Sequence, residues 1–289
     1  MGSLTIRKPM HAGTFYPASK ESLIKSIKDS FLHPIGPGRL PEKPSGDVVH
    51  SIGYVVPHAG YMYSGPVAAH AYLDLSTRRK PEAIVIAGPN HNGIGLGAAV
   101  YRGDAWETPL GTIPVDNDIG KLIVEYTQYY SFDNEAHVYE HSVEVQVPFI
   151  QYVYGGEVPI VPITIYIQTL DVARDLGKAL ARIRAENGVD IVFIASTDFN
   201  HYEPHDVTLR KDELAINAIL NLDDAGLYRV IEEYNITMCG PAPTAALINY
   251  ALHSNAAKPV LLKHATSGDV TGEKDWVVGY ASIKVPLSS

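Results

Sequence analysis

The stretch Ala83-Ile84-Val85-Ile86-Ala87-Gly88-Pro89-Asn90-His91 joins a short apolar run to a polar turn that carries a histidine. Consecutive Val and Ile residues without a polar neighbour are typical of a β-strand buried on both faces, as in a parallel sheet. The same order recurs where residues 51–56 precede His58 and where residues 191–195 precede His201. We therefore expect three buried strands, each followed by a turn that bears a histidine.

Segments with apolar residues at helical spacing lie between these runs, and further strand candidates are residues 160–165, 260–264 and 276–283. Strands that alternate with helices predict an α/β fold with three layers, in which helices cover both faces of a mostly parallel central sheet. The candidate helices span residues 20–31, 66–75, 116–126, 142–152, 169–186, 207–220, 223–233 and 244–253, the first of them capped by Ser19.

The chain has 289 residues, of which 46% are hydrophobic, enough for one sizeable core. Its Pro- and Gly-rich segment, residues 34–46, reads as a surface loop, because the part before it is too short to fold alone. No repeat at a fixed period and no low-complexity tract marks a domain boundary. We expect a single domain over residues 1–289.

The formal net charge is -9 at pH 7, and no cluster of Lys and Arg forms a basic patch that could bind the phosphates of a nucleic acid. The dense basic run at residues 78–80 precedes a strand, where a solvated helix end explains it. No apolar stretch approaches the ~20 residues of a membrane span, and the amino terminus lacks the apolar segment of a signal peptide. The sequence therefore predicts a cytoplasmic protein that binds neither nucleic acid nor membrane.

The histidines that follow the strands are candidates for a shared site. In an open α/β sheet, the carboxyl ends of neighbouring strands open onto one crevice, so side chains far apart in sequence converge there. Neutral imidazole is the commonest metal ligand, and with a thiolate or carboxylate it suits iron, zinc or copper rather than magnesium. His58 and His91 have the same context, which favours a common site over separate hydrogen bonds to backbone carbonyls.

Cys239 is the one cysteine of the chain, which excludes an internal disulfide. Its turn, residues 238–241, leads into a helix, a location that favours the thiolate, so Cys239 could supply an anionic ligand. A buried structural cysteine is the alternative. A cysteine hydrolase that pairs Cys239 with His201 or His141 is also permitted, although no oxyanion-loop signature accompanies it.

Two further positions could carry acid/base chemistry. Asp198 and His201 are three residues apart, and in a helical turn both would point to the same side, so that the carboxylate could orient the imidazole. The alternative makes Asp198 the cap of a following turn. His141, between Glu140 and Ser142, is either a second acid/base group or a hydrogen-bonding partner of the sheet.

Several short motifs occur in order along nearly the whole chain, and together they resemble the Memo family. They are residues 12–17 (AGTFYP), 57–61 (PHAGY), 88–91 (GPNH), 140–144 (EHSVE), 196–202 (STDFNHY) and 239–240 (CG). The Memo family is similar to the catalytic subunit of class III extradiol ring-cleavage dioxygenases, which are non-haem iron enzymes. Related proteins are named as component B of the AmmeMemoRadiSam system.

The resemblance implies His58, His91 and Cys239 as metal ligands, with His201 as the acid/base histidine and Asp198 beside it. It implies Fe(II) as the cofactor, with Cu or Zn as alternatives, and a radical SAM protein as a possible partner. The dioxygenases complete their two histidines with a glutamate, whereas the Memo pattern and this chain have cysteine. Because a thiolate changes the redox behaviour of iron and favours copper and zinc, ring cleavage does not follow from the fold.

Two functions therefore stay open. The first is a dioxygenase-like redox activity, with or without oxygen, on an unknown small molecule, in which His201 moves a proton. The second is a binding or adaptor protein that uses the same pocket for a peptide or a partner protein, or that handles copper or iron. The eukaryotic Memo protein is described in both of these latter roles, but its peptide binding cannot be carried over to this chain residue by residue.

Overall fold

The computed structural model describes residues 4–42 and 52–288. Its strands are β1 (Ile6–Arg7), β2 (Gly53–Val56), β3 (Ala83–Pro89), β4 (Ala98–Val100), β5 (Ala105–Thr108), β6 (Gly111–Pro114), β7 (Ser131–Phe132), β8 (Ile160–Ile165), β9 (Ile191–Ser196), β10 (His201–Glu203), β11 (Val260–Thr266) and β12 (Val277–Val285). Its helices are α1 (Lys20–Leu32), α2 (Tyr61–Ser76), α3 (Asn117–Tyr126), α4 (Glu135–Val138), α5 (Val147–Tyr154), α6 (Leu170–Asn187), α7 (His205–Leu220), α8 (Asp224–Glu233), α9 (Pro241–Leu252) and α10 (Ser267–Thr271).

Four parallel strands form the centre of a nine-stranded sheet in the described part of the chain, in the order β2, β9, β3 and β8. On both sides of this centre the pairing is antiparallel: β12 pairs with β2, β10 and β11, and β4 pairs with β8, whereas the edge strand β7 runs parallel to β4. A separate three-stranded sheet contains β1, β5 and β6. The predicted mostly parallel sheet is thus confirmed at its centre, and the antiparallel pairs on both sides are an addition that the sequence pattern does not reveal.

Helices cover both faces of the large sheet, as predicted. Side chains alternate between the two faces of a strand, so Val85 of β3 packs in one core with α6 and α9, whereas Ile84 and Ile86 pack in the other with α1 and α2. Each face of the sheet therefore has its own apolar core, and the three-layer α/β architecture is confirmed.

The central strands end at one level. The register places Val56 opposite Ser196 and Ala195 opposite Ala87, so the turns after β2, β9 and β3 leave the sheet along the same edge. This edge is where the crevice between parallel strands opens. It is also where the sequence places His58, His91 and His201.

The predicted helix over residues 142–152 is wrong in its first part. Residues 144–146 form a single turn of 3-10 helix, and α5 begins at Val147 with Pro148 in its first turn. Proline is accommodated there because its missing N–H would have no intrahelical partner, so Pro148 marks the start of a helix and not its middle. Ser142 is left in a turn, where its hydroxyl donates to the carbonyl oxygen of Pro89 at 2.8 Å.

Some predictions cannot be compared with the structure in full. Residues 43–46 of the predicted surface loop and residue 51 of the first predicted strand lie outside the described residues. Within the described ranges, no helix combines the length and the apolar character needed to cross a bilayer.

Candidate metal centre

Two histidines meet at the carboxyl edge of the central strands. His58 lies two residues after β2 and is almost fully buried, whereas His91 lies two residues after β3 and its side chain is 33% exposed. Their ring centroids are 5.3 Å apart, and the ring planes are nearly perpendicular, at 83°. The structure therefore brings these two predicted side chains together.

Hydrogen bonds determine which ring nitrogen of His58 is free to bind a ligand. The Ser196 hydroxyl donates its single proton to the carbonyl oxygen of Ser142, at 2.7 Å. Nδ1 of His58 lies 2.9 Å from the same hydroxyl oxygen, so Nδ1 must be the donor of that hydrogen bond. Nε2 of His58 therefore carries the lone pair, which is the form that a metal binds.

Glu140 likewise engages Nδ1 of His91 and leaves Nε2 of that ring with the lone pair. Its carboxylate accepts a hydrogen bond from Nδ1 of His91 at 2.8 Å and another from the backbone N–H of His91 at 2.5 Å. It also accepts the backbone N–H of Ser142 at 2.9 Å. A carboxylate behind the second ring nitrogen is the usual support of a metal-bound histidine, because it holds the ring and makes it a stronger ligand.

Glu140 remains ionised although it is buried. Burial by itself would raise the pKa of this carboxyl, but the hydrogen bond from His91 and the nearby imidazoles of His91 and His141 lower the pKa of Glu140 to about 2. A buried negative charge therefore lies directly behind an imidazole that faces the cavity.

We expect Glu140→Gln to bind metal roughly 10- to 100-fold more weakly, the usual loss when a partner of this kind is removed. Glutamine preserves the size of the side chain but removes the charge behind His91. Competition between the protein and a chelator for zinc would measure the change. Glu107→Gln is the matched control, since Glu107 pairs with Lys8 on the surface. Equal affinities in Glu140→Gln and the parent would show that this carboxylate does not act on the site.

His141 is the third histidine at this edge. One ring nitrogen each of His58, His91 and His141 lies within 4.8 Å of the others, so these three side chains form a group that could hold a metal ion. The ring of His141 is stacked between Phe15 and His91, with centroid distances of 4.3 Å and 4.4 Å. Burial and the nearby imidazole of His58 lower the pKa of His141 to about 3, so the ring is neutral at pH 7.

Cys239 reaches the same place from the turn before α9. Its Sγ lies 3.3 Å from Nε2 of His58, the nitrogen that carries the lone pair, and accepts the backbone N–H of Asp198 at 3.2 Å. Gly240 permits this close approach, because a Cβ there would lie 2.7 Å from Cβ of Thr197. Burial and the Asp198 carboxylate raise the pKa of the Cys239 thiol. The sulfur is thus a neutral thiol unless a cation lies beside it.

Asp198 and His201 lie at the same cavity but have other partners than those predicted. Asp198 accepts the backbone N–H of His58 at 2.8 Å, whereas Nδ1 of His201 lies 2.7 Å from the carbonyl oxygen of Thr237. The turn between them is not helical, since β10 begins at His201, so the spacing of three does not align the two side chains. Burial raises the pKa of the Asp198 carboxyl.

A cavity of about 560 Å³ opens above these side chains. Its lining includes four histidines, Asp198 and Cys239, with apolar wall contributed by Phe15, Ala59 and Val278. Among the described residues that line it there is no lysine or arginine. The cavity is therefore better suited to a cation or a neutral molecule than to an anion.

The comparisons with known proteins agree with these observations. A family model described as Memo-like protein matches residues 7–284. The chain belongs to the Memo family. It is 51% identical over 282 residues to a MEMO1 family protein of Aeropyrum pernix, which covers 98% of this chain and 100% of that protein. It is also 51% identical over 278 residues to a MEMO1 family protein of Desulfurococcus amylolyticus, covering 96% and 98% respectively.

A solved structure shares the fold of this Memo family chain. The crystal structure of an uncharacterized protein from Escherichia coli K12 matches it with a TM-score of 0.54 at 15% sequence identity. The match covers 82% of this chain and 100% of that one. At this identity the likeness shows the architecture and does not extend to activity.

The sequence pattern does not predict the residues that hold the rings of His58 and His91. Gln146 donates from Nε2 to the Ser196 hydroxyl at 2.8 Å and to the carbonyl oxygen of Pro57 at 3.0 Å, and its Oε1 accepts the Tyr72 hydroxyl at 2.7 Å. The adjacency of Glu140 to His141 is a local signal that could have identified Glu140. No local signal connects Gln146 to His58.

Proposed function

We propose that this Memo family protein holds a redox-active transition metal, iron(II) in the first place, and uses it in oxygen-dependent chemistry on a small molecule. The observation that carries the proposal is that His58 and His91 both have Nδ1 engaged by a hydrogen-bond partner, which leaves both Nε2 atoms as ligands. Copper and zinc are the alternatives, because two imidazoles and a thiolate suit them as well.

Cys239 is the third ligand in this proposal. Ligands about 2.0–2.3 Å from one metal ion stand roughly 3.2–3.8 Å apart. Sγ of Cys239 lies 3.3 Å from Nε2 of His58, within that interval. The raised pKa of the buried thiol does not oppose the assignment, since a coordinating thiol is deprotonated by the charge of the ion.

His141 competes with Cys239 for that position. A metal binds an imidazole in the plane of the ring, and the ring of His141 is stacked on that of His91 with 23° between the planes. Nearly parallel stacked rings direct their lone pairs side by side and not at one point. His58 is turned by 83° from His91 and by 80° from His141. This geometry favours His58 with His91 as ligands and leaves His141 as a neutral acid/base group at the cavity wall.

Four residues of the cavity would assist the reaction of a bound small molecule. When bound, iron(II) supplies electrons and open coordination positions for oxygen and substrate. His201 accepts a proton from a substrate hydroxyl, and the buried Asp198 carboxylate holds the turn that carries His58 through its backbone N–H. The rings of Phe15 and Tyr202 contribute to the cavity wall and limit the access of water to the reacting atoms.

The variants Cys239→Ser and His141→Gln separate the two candidates for the third ligand. Cys239→Ser removes the soft, charged donor, and we expect at least ~100-fold weaker binding of copper(I) and zinc, more than the loss of a supporting residue causes. His141→Gln should weaken binding by less than about threefold. Chelator competition gives the affinities, and thermal unfolding of the metal-free proteins should change little.

The reverse order of these affinities would make His141 the ligand and exclude Cys239 from the site. Parent-like affinity in both variants would contradict a site of three protein ligands. Purification without added metal, followed by metal analysis and an oxygen-uptake screen with catechols and other small aromatics, tests the function itself. Tight metal binding without oxygen uptake, together with capture of a peptide or a partner such as a radical SAM protein, would favour the binding alternative.

A further inference from the structure

His201 is held by the segment that precedes Cys239. Its backbone N–H donates to Oγ1 of Thr237 at 2.7 Å, and its Nδ1 lies 2.7 Å from the carbonyl oxygen of Thr237. A carbonyl oxygen can only accept, so Nδ1 carries the proton of the neutral ring. Nε2 then has the lone pair and is the nitrogen left for a molecule in the cavity that His201 lines.

Asn200 holds the segment that offers this carbonyl. Its Oδ1 accepts the backbone N–H of Thr237 at 3.1 Å and the Thr237 hydroxyl at 3.2 Å, while its Nδ2 donates to the Glu203 carboxylate at 2.7 Å. A backbone N–H can only donate and a carboxylate can only accept, so both contacts require the same orientation of the amide. Asn200 is fully buried, whereas Thr237 is exposed, so the network runs from the interior to the surface of the cavity wall.

Asp212 in turn holds Asn200. Its Oδ1 accepts the backbone N–H of Asn200 at 2.9 Å, and its Oδ2 lies 3.0 Å from Nε2 of His264. The carboxylate packs directly on β12, where a Cβ at Gly279 would overlap it. A buried polar network of this kind favours a single arrangement of its members.

The backbone beside His201 is strained in a way that fits this role. Tyr202 has a φ of 59°, in the left-handed region that is costly for a bulky side chain. The pairing of β10 with β12 shifts register between His201 and Glu203, which is a β-bulge. Bulges re-aim neighbouring side chains, and here the bulge accompanies a histidine whose Nδ1 lies at the carbonyl oxygen of Thr237.

We propose that Thr237, held by Asn200 and Asp212, is a positioning residue that sets the tautomer of His201, so that Nε2 accepts a proton from a substrate hydroxyl. The use made of His201 rests on the proposed function, whereas the tautomer follows from the contacts alone.

Imidazole nitrogen NMR of the full-length, zinc-loaded protein tests this assignment. In the parent, Nδ1 of His201 should carry the proton. Thr237→Val retains the side-chain volume and the carbonyl that accepts from Nδ1, but it removes the hydroxyl that holds this segment to the backbone N–H of His201 and to Oδ1 of Asn200. Because the carbonyl is then less firmly positioned, we expect the tautomer ratio to shift roughly 3- to 10-fold toward the Nε2–H form, the factor for one lost hydrogen bond. Thr237→Ser should match the parent. Thr127→Val is the control, since the Thr127 hydroxyl bonds to the carbonyl of Ile123.

A proton on Nε2 of His201 in the parent would overturn the proposal without any variant. An unchanged ratio in Thr237→Val would also overturn it, as would a Thr237→Ser protein that shifts as far as Thr237→Val. The measurement needs no turnover. Absence of metal-dependent oxygen uptake would therefore defeat the proposed function and leave the tautomer result standing.

Discussion

Replacing His91 with alanine is expected to lower the affinity for zinc or iron(II) at least ~100-fold, because the ion loses a ligand and not merely its support. His91 suits this test better than His58, which is almost fully buried, so that its removal would leave a cavity. The side chain of His91 is 33% exposed, so its loss leaves no closed cavity, and the buried Glu140 carboxylate keeps its hydrogen bonds from the backbone N–H groups of residues 91 and 142. Metal content after purification without added metal, and chelator competition, give the measurement.

His253→Ala is the matched control for this variant. His253 bonds to the backbone carbonyl of Asn249 at the end of α9 and is not among the residues that line the cavity. Its replacement should leave metal affinity at the parent value. Parent-like binding in His91→Ala would contradict the assignment of His91 as a ligand and, with it, the proposed metal site.

We expect His201→Ala to retain its metal while turnover falls by roughly 10²–10⁴-fold, the usual contribution of a positioned acid/base group. The Nδ1 atom of His201 is bound by Thr237, and the ring is outside the group formed by the three histidines at the metal centre. Its removal should therefore leave the ligands in place. Oxygen uptake with any substrate found in the screen gives the rate, and metal analysis of the same preparations gives occupancy.

The two readouts separate the possible roles of His201. Loss of metal in His201→Ala would make His201 a ligand and would require the roles of the cavity residues to be reassigned. Retention of both metal and turnover would contradict the acid/base role. His253→Ala again serves as the control, because it removes an imidazole that is not part of the cavity lining.

Much of the fold could be predicted from the sequence because its signals are local. The strand over residues 160–165 was predicted with both of its observed ends, as expected for an unbroken apolar run. The starts of α1, α3 and α8, which have a side-chain cap, are predicted to within one residue, whereas the short capped helix α10 is not predicted. Asp116 and Asp223 accept backbone N–H groups of the first turns of α3 and α8, which is a property of residue type and position.

The prediction failed where local patterns are ambiguous. Apolar residues in the segment 142–152 match a helix, yet proline is tolerated only in the first turn, so the helix begins next to Pro148. Before it, Ser142 lies in a turn and its hydroxyl donates to the carbonyl oxygen of Pro89 at the end of β3. The antiparallel direction of β12 beside β2 was also not predicted. Whether two strands pair parallel or antiparallel depends on the connection between them, and the alternation of side chains within either strand does not reveal it.

By itself, the sequence determined that His58 and His91 each follow a buried strand, and hence that they meet, because the carboxyl ends of parallel strands share one edge. Only the tertiary structure decided which groups accept a hydrogen bond from the Nδ1 atoms of the site histidines. Glu140 lies 49 residues from His91, and Thr237 lies 36 residues from His201. Such contacts depend on how separate turns pack on the sheet, and a hydrogen bond between distant residues leaves no trace in the local pattern of either one.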